Sequence, residues 1–325
     1  MTRGVRDDKK NKFGMKRLIY IVALALGVVA ACQKDGARNG DGVQCVSRMR
    51  VEIPYDGQTK AVSGGKLVDV VYYEVWSDDF QTLLFGSSAA VHNGVAEMDI
   101  ALVKDQVYKM VFWAQCESVE SPYSWSDLKR VNVDYSKFTQ NNKDCYDAFY
   151  SVETITADGK DKTVCLYRPF AQMNFGTTTL TTAFGEFTIN SNAVTVSQLA
   201  TAFNTEKGYA YADSYVSDVT IDADAGGLVQ QESSDRRDLE IGKDAYYWVA
   251  MNYLLVPAQD KATVKVDVSF DTSGGSLSHS IENVPIQKNY RTNIVGDLFT
   301  SSAHLKIVVM PDFEKPDLGN TLNNN

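Results

Sequence analysis

Histidine is nearly missing from this chain of 325 residues. There are three, His92, His279 and His304, and none lies at metal-ligand spacing to another. HExxH, GxSxG, GxGxxG and a glycine-rich phosphate loop are all absent, so the usual frames for zinc hydrolysis, serine acyl transfer and nucleotide binding are not there. Cysteine is scarce as well. Five occur and none forms CxxC, which excludes zinc-ribbon and thioredoxin-type sites. Asp222 and Asp224 start like an acidic calcium loop, but the glycine and glutamate that should follow are out of place. Carboxylates are too many for any pair to stand out as a glycosidase couple. The expectation is a protein with no catalytic residues, no metal and no cofactor. Positive charge is also in deficit, with 32 Lys and Arg against 41 Asp and Glu, a net charge of −9. Such a field repels nucleic acid and anionic membrane surfaces, so no nucleic-acid partner is expected. No fixed-period repeat is visible, which argues against solenoids and propellers.

One long apolar run exists, Leu18 to Cys32, LIYIVALALGVVAAC, behind Lys16 and Arg17. A basic start, an apolar core and small residues before a cut site make a secretory signal. Fourteen residues precede the cysteine, against the roughly 20 a helix needs to span a bilayer. An aliphatic residue, two alanines and Cys form the pattern of a bacterial lipoprotein signal, with Cys32 as the lipidated first residue of the mature chain. The polar stretch before Met15 makes Met15 the expected working start. The expected organisation is therefore a signal peptide over 1–31, a polar, glycine-rich tether over 32–42, and two domains, 43–167 and 168–325. Removing 1–31 takes away seven basic and two acidic residues and leaves a net charge of −14.

The remainder is strand chemistry: 17 Tyr, 14 Phe and abundant Thr, Val and Ser. In Val43–Ile53, Val43, Cys45, Met49, Val51 and Ile53 alternate with Gln44, Arg48, Arg50 and Glu52, the period of a half-buried strand. Val68–Trp76, Thr82–Phe85, Ala96–Leu102 and Val107–Ala114 read as further strands. Asn93-Gly94 and Asp158-Gly159 mark hairpins. Residues 116–147 are polar and irregular, with a helical turn expected over Trp125–Lys129. Arg168-Pro169 reads as a hinge, because a residue before proline is pushed to extended geometry. Beyond it, Phe170–Phe175, Glu186–Ile189, Val216–Ile221, Thr263–Phe270, Leu277–Val284, Arg291–Leu298 and Leu305–Met310 read as strands. Val196, Leu199, Ala200 and Phe203 have helical spacing and predict a short helix over Val196–Phe203. Length does not separate strand from helix in Ala245–Val256; its aromatics favour a central strand. The pattern predicts an all-β protein of two tandem β-sandwich domains.

Trp76, Trp113 and Trp248 fall in strand-like stretches and are expected in the core. Tyr123 and Trp125 lie in the irregular segment, where exposed rings would contact a glycan or a partner. Cys116 and Cys145 flank that segment. They either form a disulfide, worth about 3–4 kcal/mol by loop-closure entropy, or remain free thiols in strands.

Several segments together resemble the fimbrillin superfamily, lipoprotein pilins of Gram-negative anaerobes. They are the lipobox ending at Cys32, the alternating first strand Val43–Ile53, the Thr59-Lys60-Ala61-Val62 stretch, Leu166-Tyr167-Arg168-Pro169-Phe170-Ala171-Gln172, and above all Val284–Thr300 with its Asn289-Tyr290-Arg291-Thr292-Asn293-Ile294 run. Phe112-Trp113-Ala114-Gln115 and Asp147-Ala148-Phe149-Tyr150 are similar to an uncharacterised branch of it.

The resemblance implies two transthyretin-like β-sandwiches and a fimbrial structural or anchoring subunit, assembled by β-strand exchange at the cell surface. A protease then cuts after a basic residue near the N-terminus, the first strand leaves, and a strand of another fimbrial subunit fills the groove. On this chain the cut falls at Lys60, or else at Arg48 or Arg50. The departing strand is Val43–Ile53 and the donor strand is Ala303–Met310. Each has a plainer alternative: surface charge for the basic residues, and a last strand that closes its own domain. The lipid on Cys32 implies an outer-membrane lipoprotein. The competing reading is a monomeric surface lipoprotein that binds a glycan or host ligand through the loop at 117–144.

Overall fold

A computed structural model describes residues 43–54, 65–117, 120–140, 144–182, 185–186, 188–216, 218–224, 239–300 and 304–311. The leader, the tether, Lys60 and Ala303 lie outside the described residues.

The first nine strands are β1 (Gln44–Glu52), β2 (Val70–Ser77), β3 (Leu83–Ala90), β4 (Val95–Val103), β5 (Val107–Gln115), β6 (Tyr123–Ser124), β7 (Arg130–Val133), β8 (Phe149–Thr156) and β9 (Lys162–Cys165). Seven of them form two facing sheets, ordered β4-β1-β9 and β3-β2-β5-β8. Their inner faces share one core, in which Met49, Val51, Ile100 and Val164 of the first sheet meet Val71, Val75, Met110 and Phe112 of the second. The alternation read from Val43–Ile53 and Ala96–Leu102 is the inside-outside alternation of β1 and β4. Asn93-Gly94 and Asp158-Gly159 turn the chain but make no hairpins, because β3 and β4, like β8 and β9, enter different sheets. Asn93 and Gly94 take positive φ (53° and 76°) and His92 and Val95 exchange two backbone hydrogen bonds across them.

The second half contributes β10 (Phe170–Thr177), β11 (Thr181–Thr182), β12 (Gly185–Glu186), β13 (Ile189–Ser197), β14 (Ala202–Asn204), β15 (Tyr209–Ala210), β16 (Asp218–Asp224), β17 (Leu239–Ile241), β18 (Asp244–Leu255), β19 (Lys261–Thr272), β20 (Gly275–Gln287), β21 (Tyr290–Gly296) and β22 (Leu305–Pro311). The large sheets here are β17-β18-β10-β21-β22 and β16-β13-β19-β20, while β11 and β12 pair only with each other. The topology of the first half is repeated. β10 stands where β1 stands, antiparallel to one neighbour (β18, as β1 to β4) and parallel to the other (β21, as β1 to β9). The order β16-β13-β19-β20 reproduces β3-β2-β5-β8. The second half adds β22 outside the parallel strand.

Neither expected helical segment forms. The predicted helix over Val196–Phe203 is the end of β13, a turn and β14. Val194 and Val196 already follow the period-two burial of a strand, and Gln198 at φ 58° breaks the chain direction. The helical turn expected at Trp125–Lys129 is the non-helical connection between β6 and β7.

The polar segment 116–147 is not an outlying loop. Its strands β6 and β7 join β14 and β15 in a four-stranded sheet ordered β15-β14-β7-β6, so one sheet draws on both halves. Phe203 pairs with Val131, and the larger core gathers Trp113, Tyr123, Phe138 and Tyr146 with Phe170, Phe203 and Leu254. Tyr135 ties the layers together: its hydroxyl donates to the Ala200 carbonyl (3.1 Å) and accepts the Leu255 N–H (2.9 Å). The expected boundary at Tyr167–Arg168 falls just before β10, and the pairing of β7 with β14 runs across it.

Candidate functional site: the first strand and its groove

β1 is the first strand of the described chain and the middle strand of its sheet. Nine residues pair antiparallel with β4, from Gln44 opposite Val103 to Glu52 opposite Val95. On the other side Met49 to Glu52 run parallel to Lys162 to Cys165 of β9. β1 therefore fills a groove whose two walls are β4 and β9. Its inner face carries Ser47, Met49, Val51 and, just past the strand, Ile53, all buried. Each of the three apolar side chains stabilises the seated strand by about 1.5–3 kcal/mol. Ser47 acts the other way, because its hydroxyl is buried and has no hydrogen-bond partner among the described residues.

The outer face is ionic. Arg48 Nε donates to Asp99 at 3.0 Å, and Arg50 bridges Glu52 (2.9 Å) and Glu97 (3.2 Å). The hydrogen bond from Arg48 holds the Asp99 carboxyl below its usual range. All of these groups are solvated, so the pairs orient side chains more than they hold the strand. As cut sites, Arg48 and Arg50 sit mid-strand. The backbone around Arg50 is paired on both sides, and a protease that binds extended chain reaches it only after β1 has been drawn out.

The other proposed partner of the exchange, the last strand, is seated in its own sheet. β22 pairs with β21 from Leu305 opposite Gly296 to Pro311 opposite Tyr290, and Val308 and Met310 are in the core. It is an edge strand, with one side of its backbone free of any described strand.

The expected ligand contact at Tyr123 is corrected. Tyr123 is a core residue: 4% exposed, edge-on to Trp113 (5.3 Å between centroids), against Phe170 (5.6 Å), with its hydroxyl donated to the Tyr146 carbonyl. Burial raises its phenol well above the usual value. Trp125 is half-buried, edge-on to Tyr72 at 5.0 Å. Ring-bearing residues of a segment that forms part of the core are used up in packing. The Cys116–Cys145 bridge is not formed in this structure; both side chains are buried thiols in the larger core, while Cys165 is exposed. His279 is not a free surface residue: its Nε2–H donates to the Leu298 carbonyl at 2.5 Å. No cluster of His, Cys, Asp or Glu able to hold a metal occurs among the described residues.

Sequence reasoning missed what the resemblance motifs do. Arg168, read as a hinge, is buried and pairs with buried Asp147; its Nη1 also donates to Asn289 Oδ1 at 3.1 Å. Further along the same run, Asn293 Oδ1 accepts from Asn174 Nδ2 (2.9 Å) and Thr292 Oγ1 donates to the Pro285 carbonyl (2.6 Å). The Asn289–Ile294 run thus fastens β10, β20 and β21 together.

Residues 42–324 match a single family throughout. The chain belongs to the DUF6562 family. That family is described as one of unknown function. No curated protein matches the sequence. Among solved structures, a protein from Bacteroides ovatus provisionally named for cell adhesion aligns over 85% of this DUF6562 chain and 100% of its own, with 10% identity and a TM-score of 0.53, which is a likeness of fold. A protein from Bacteroides eggerthii, also provisionally named for cell adhesion, covers 85% and 98% at 12% identity and a TM-score of 0.47. A fimbrial assembly protein from Parabacteroides distasonis covers 83% and 96% at 13% identity and a TM-score of 0.39.

Proposed function

We propose that this DUF6562 protein is a fimbrillin-type subunit of a surface fimbrium, a structural or anchoring protein rather than an enzyme, exported as a lipoprotein on Cys32. The observation that carries the reading is the place of β1: first strand of the fold, and central between β4 and β9. Such a strand can be withdrawn toward the N-terminus without threading the chain. Its loss exposes two strand edges and the core behind Met49 and Val51, which makes an incoming strand favourable. The strandless groove is then the acceptor, and β22, at the edge of its sheet, is the donor from the next subunit. The solved proteins named for cell adhesion and fimbrial assembly agree with it.

The test is the N-terminal sequence of the protein recovered from the cell surface. A start at Ala61 means that β1 has been removed and the chain polymerises. A start at lipidated Cys32 in a fimbrial preparation means an anchor at the base. An uncut monomer that never enters fimbriae sinks the proposal.

A further inference from the structure

β3 is an edge strand without the usual protection. Its sequence, LLFGSSAA, has no charged residue and no proline, and every position except Ala89 is exposed. Leu83, Leu84 and Phe85 are 42%, 47% and 39% exposed and adjacent. One backbone edge pairs with β2; the other meets no strand among the described residues. The remaining long edges are guarded by charge: Glu97 and Asp99 on β4, Glu153 on β8, Asp218 and Asp222 on β16, Glu282 on β20, Lys306 on β22. A long, neutral, apolar edge is a template for another strand. A bulge opposite Val75–Trp76 leaves Phe85–Ala90 as its regular part.

We infer that β3 pairs antiparallel with β3 of a second copy of this chain, joining two β3-β2-β5-β8 sheets into one. Charge favours this occupant. The chain carries a net −9, so two copies repel unless they meet at a neutral surface, and β3 is one. Shape favours it too. The strand is bulky at its start and small at its end. A two-fold axis at Ser87 sets Ser87 opposite Ser87 of the second copy, Gly86 opposite Ser88 and Phe85 opposite Ala89. The strand is thus complementary to itself, as a two-fold interface requires, and no like charges face each other. The pairing does not depend on the fimbrial reading, because β3 lies in the sheet opposite β1.

The test uses the full chain with Cys32→Ala to keep it soluble, followed by sedimentation equilibrium across the micromolar range. The unaltered strand gives a concentration-dependent dimer. Ser87→Lys with Ser88→Lys, and separately Ser87→Glu with Ser88→Glu, each give monomers. An equimolar mixture of the two restores a dimer, because the Lys at position 87 then faces the Glu at position 87 of the other copy. Dimers that ignore both double variants overturn the inference. So does a monomer with the unaltered strand. In that monomer, slowly exchanging Phe85–Ala90 amides assign the edge to another segment of the same chain, and rapidly exchanging ones leave it to a different protein.

Discussion

Arg168 grips Asp147 with two parallel hydrogen bonds, Nε to Oδ1 at 2.7 Å and Nη2 to Oδ2 at 2.6 Å, with both side chains buried. The guanidinium also lies over the Phe149 ring, 4.7 Å from its centroid. With Asn289 as a third partner, one side chain joins the end of segment 116–147, the chain just before β10 and the β20–β21 turn. Arg168→Met strands a buried carboxylate and is expected to cost about 3–5 kcal/mol. Asp147→Leu added to it recovers most of that loss. Urea unfolding of the single and double variants reads both values.

The seating of β1 rests on its inner face. Met49→Ala is expected to destabilise by about 2–5 kcal/mol. Arg48→Ala moves stability by less than about 1 kcal/mol. Ser47→Ala removes a buried hydroxyl that has no partner among the described residues, and it is neutral or stabilising. Denaturation midpoints of the three variants give this order. A large loss from Arg48→Ala would show that the ion pairs, not the core, hold the strand.

Tyr135→Phe keeps the ring and leaves the Leu255 N–H and the Ala200 carbonyl without the hydroxyl that joins them. The expected cost is about 1–3 kcal/mol, read as a lowered thermal midpoint. The Phe138 ring at 5.2 Å stays in contact, so packing is not the cause.

Glu74 is buried on β2. Its Oε2 accepts the Trp76 indole N–H (3.1 Å) and the Leu128 N–H (2.9 Å), and burial raises its pKa above 4.5. A carboxyl with a raised folded-state pKa weakens the fold as it ionises. The cost is absent below the unfolded value and complete above the folded one. Glu74→Gln has no such titration. The stability of the native chain minus that of Glu74→Gln is therefore expected to fall as pH rises from about 4.5, and a flat difference from pH 4 to pH 8 would rule it out.

Thiol labelling separates the cysteines. In the folded protein Cys165 is expected to react first, with buried Cys116 and Cys145 protected until unfolding. If those two stay unreactive in denaturant without reductant, a disulfide joins them.

The sequence carries the strands wherever one face is dry. Val43–Ile53 and Thr263–Phe270 alternate because each has a core on one side only. It carries the β-sandwich character for the same reason. The segment 116–147 was illegible because its burial is not local. Tyr123, Tyr135, Phe138 and Tyr146 follow no period, and what buries them is β14, β18 and Phe170, far away in the chain. Their polar neighbours made the stretch look exposed, and hence made Tyr123 and Trp125 look available. Arg168 misled in a similar way: a charged residue before proline suggests solvent, and its buried counter-charge is 21 residues earlier. Val196–Phe203 misled through coincidence of spacing, with two strand ends and a turn matching a helical pattern.

The pairing of β1 also fixes how the molecule bears load. Its axis runs along both of its ladders, nine residue pairs against β4 and four against β9. Tension entering at Val43 along that axis puts these hydrogen bonds in shear, so they yield together rather than one after another. The same bonds taken from the side open like a zipper. A strand seated in this way resists a steady axial pull and yields when it is peeled from the side.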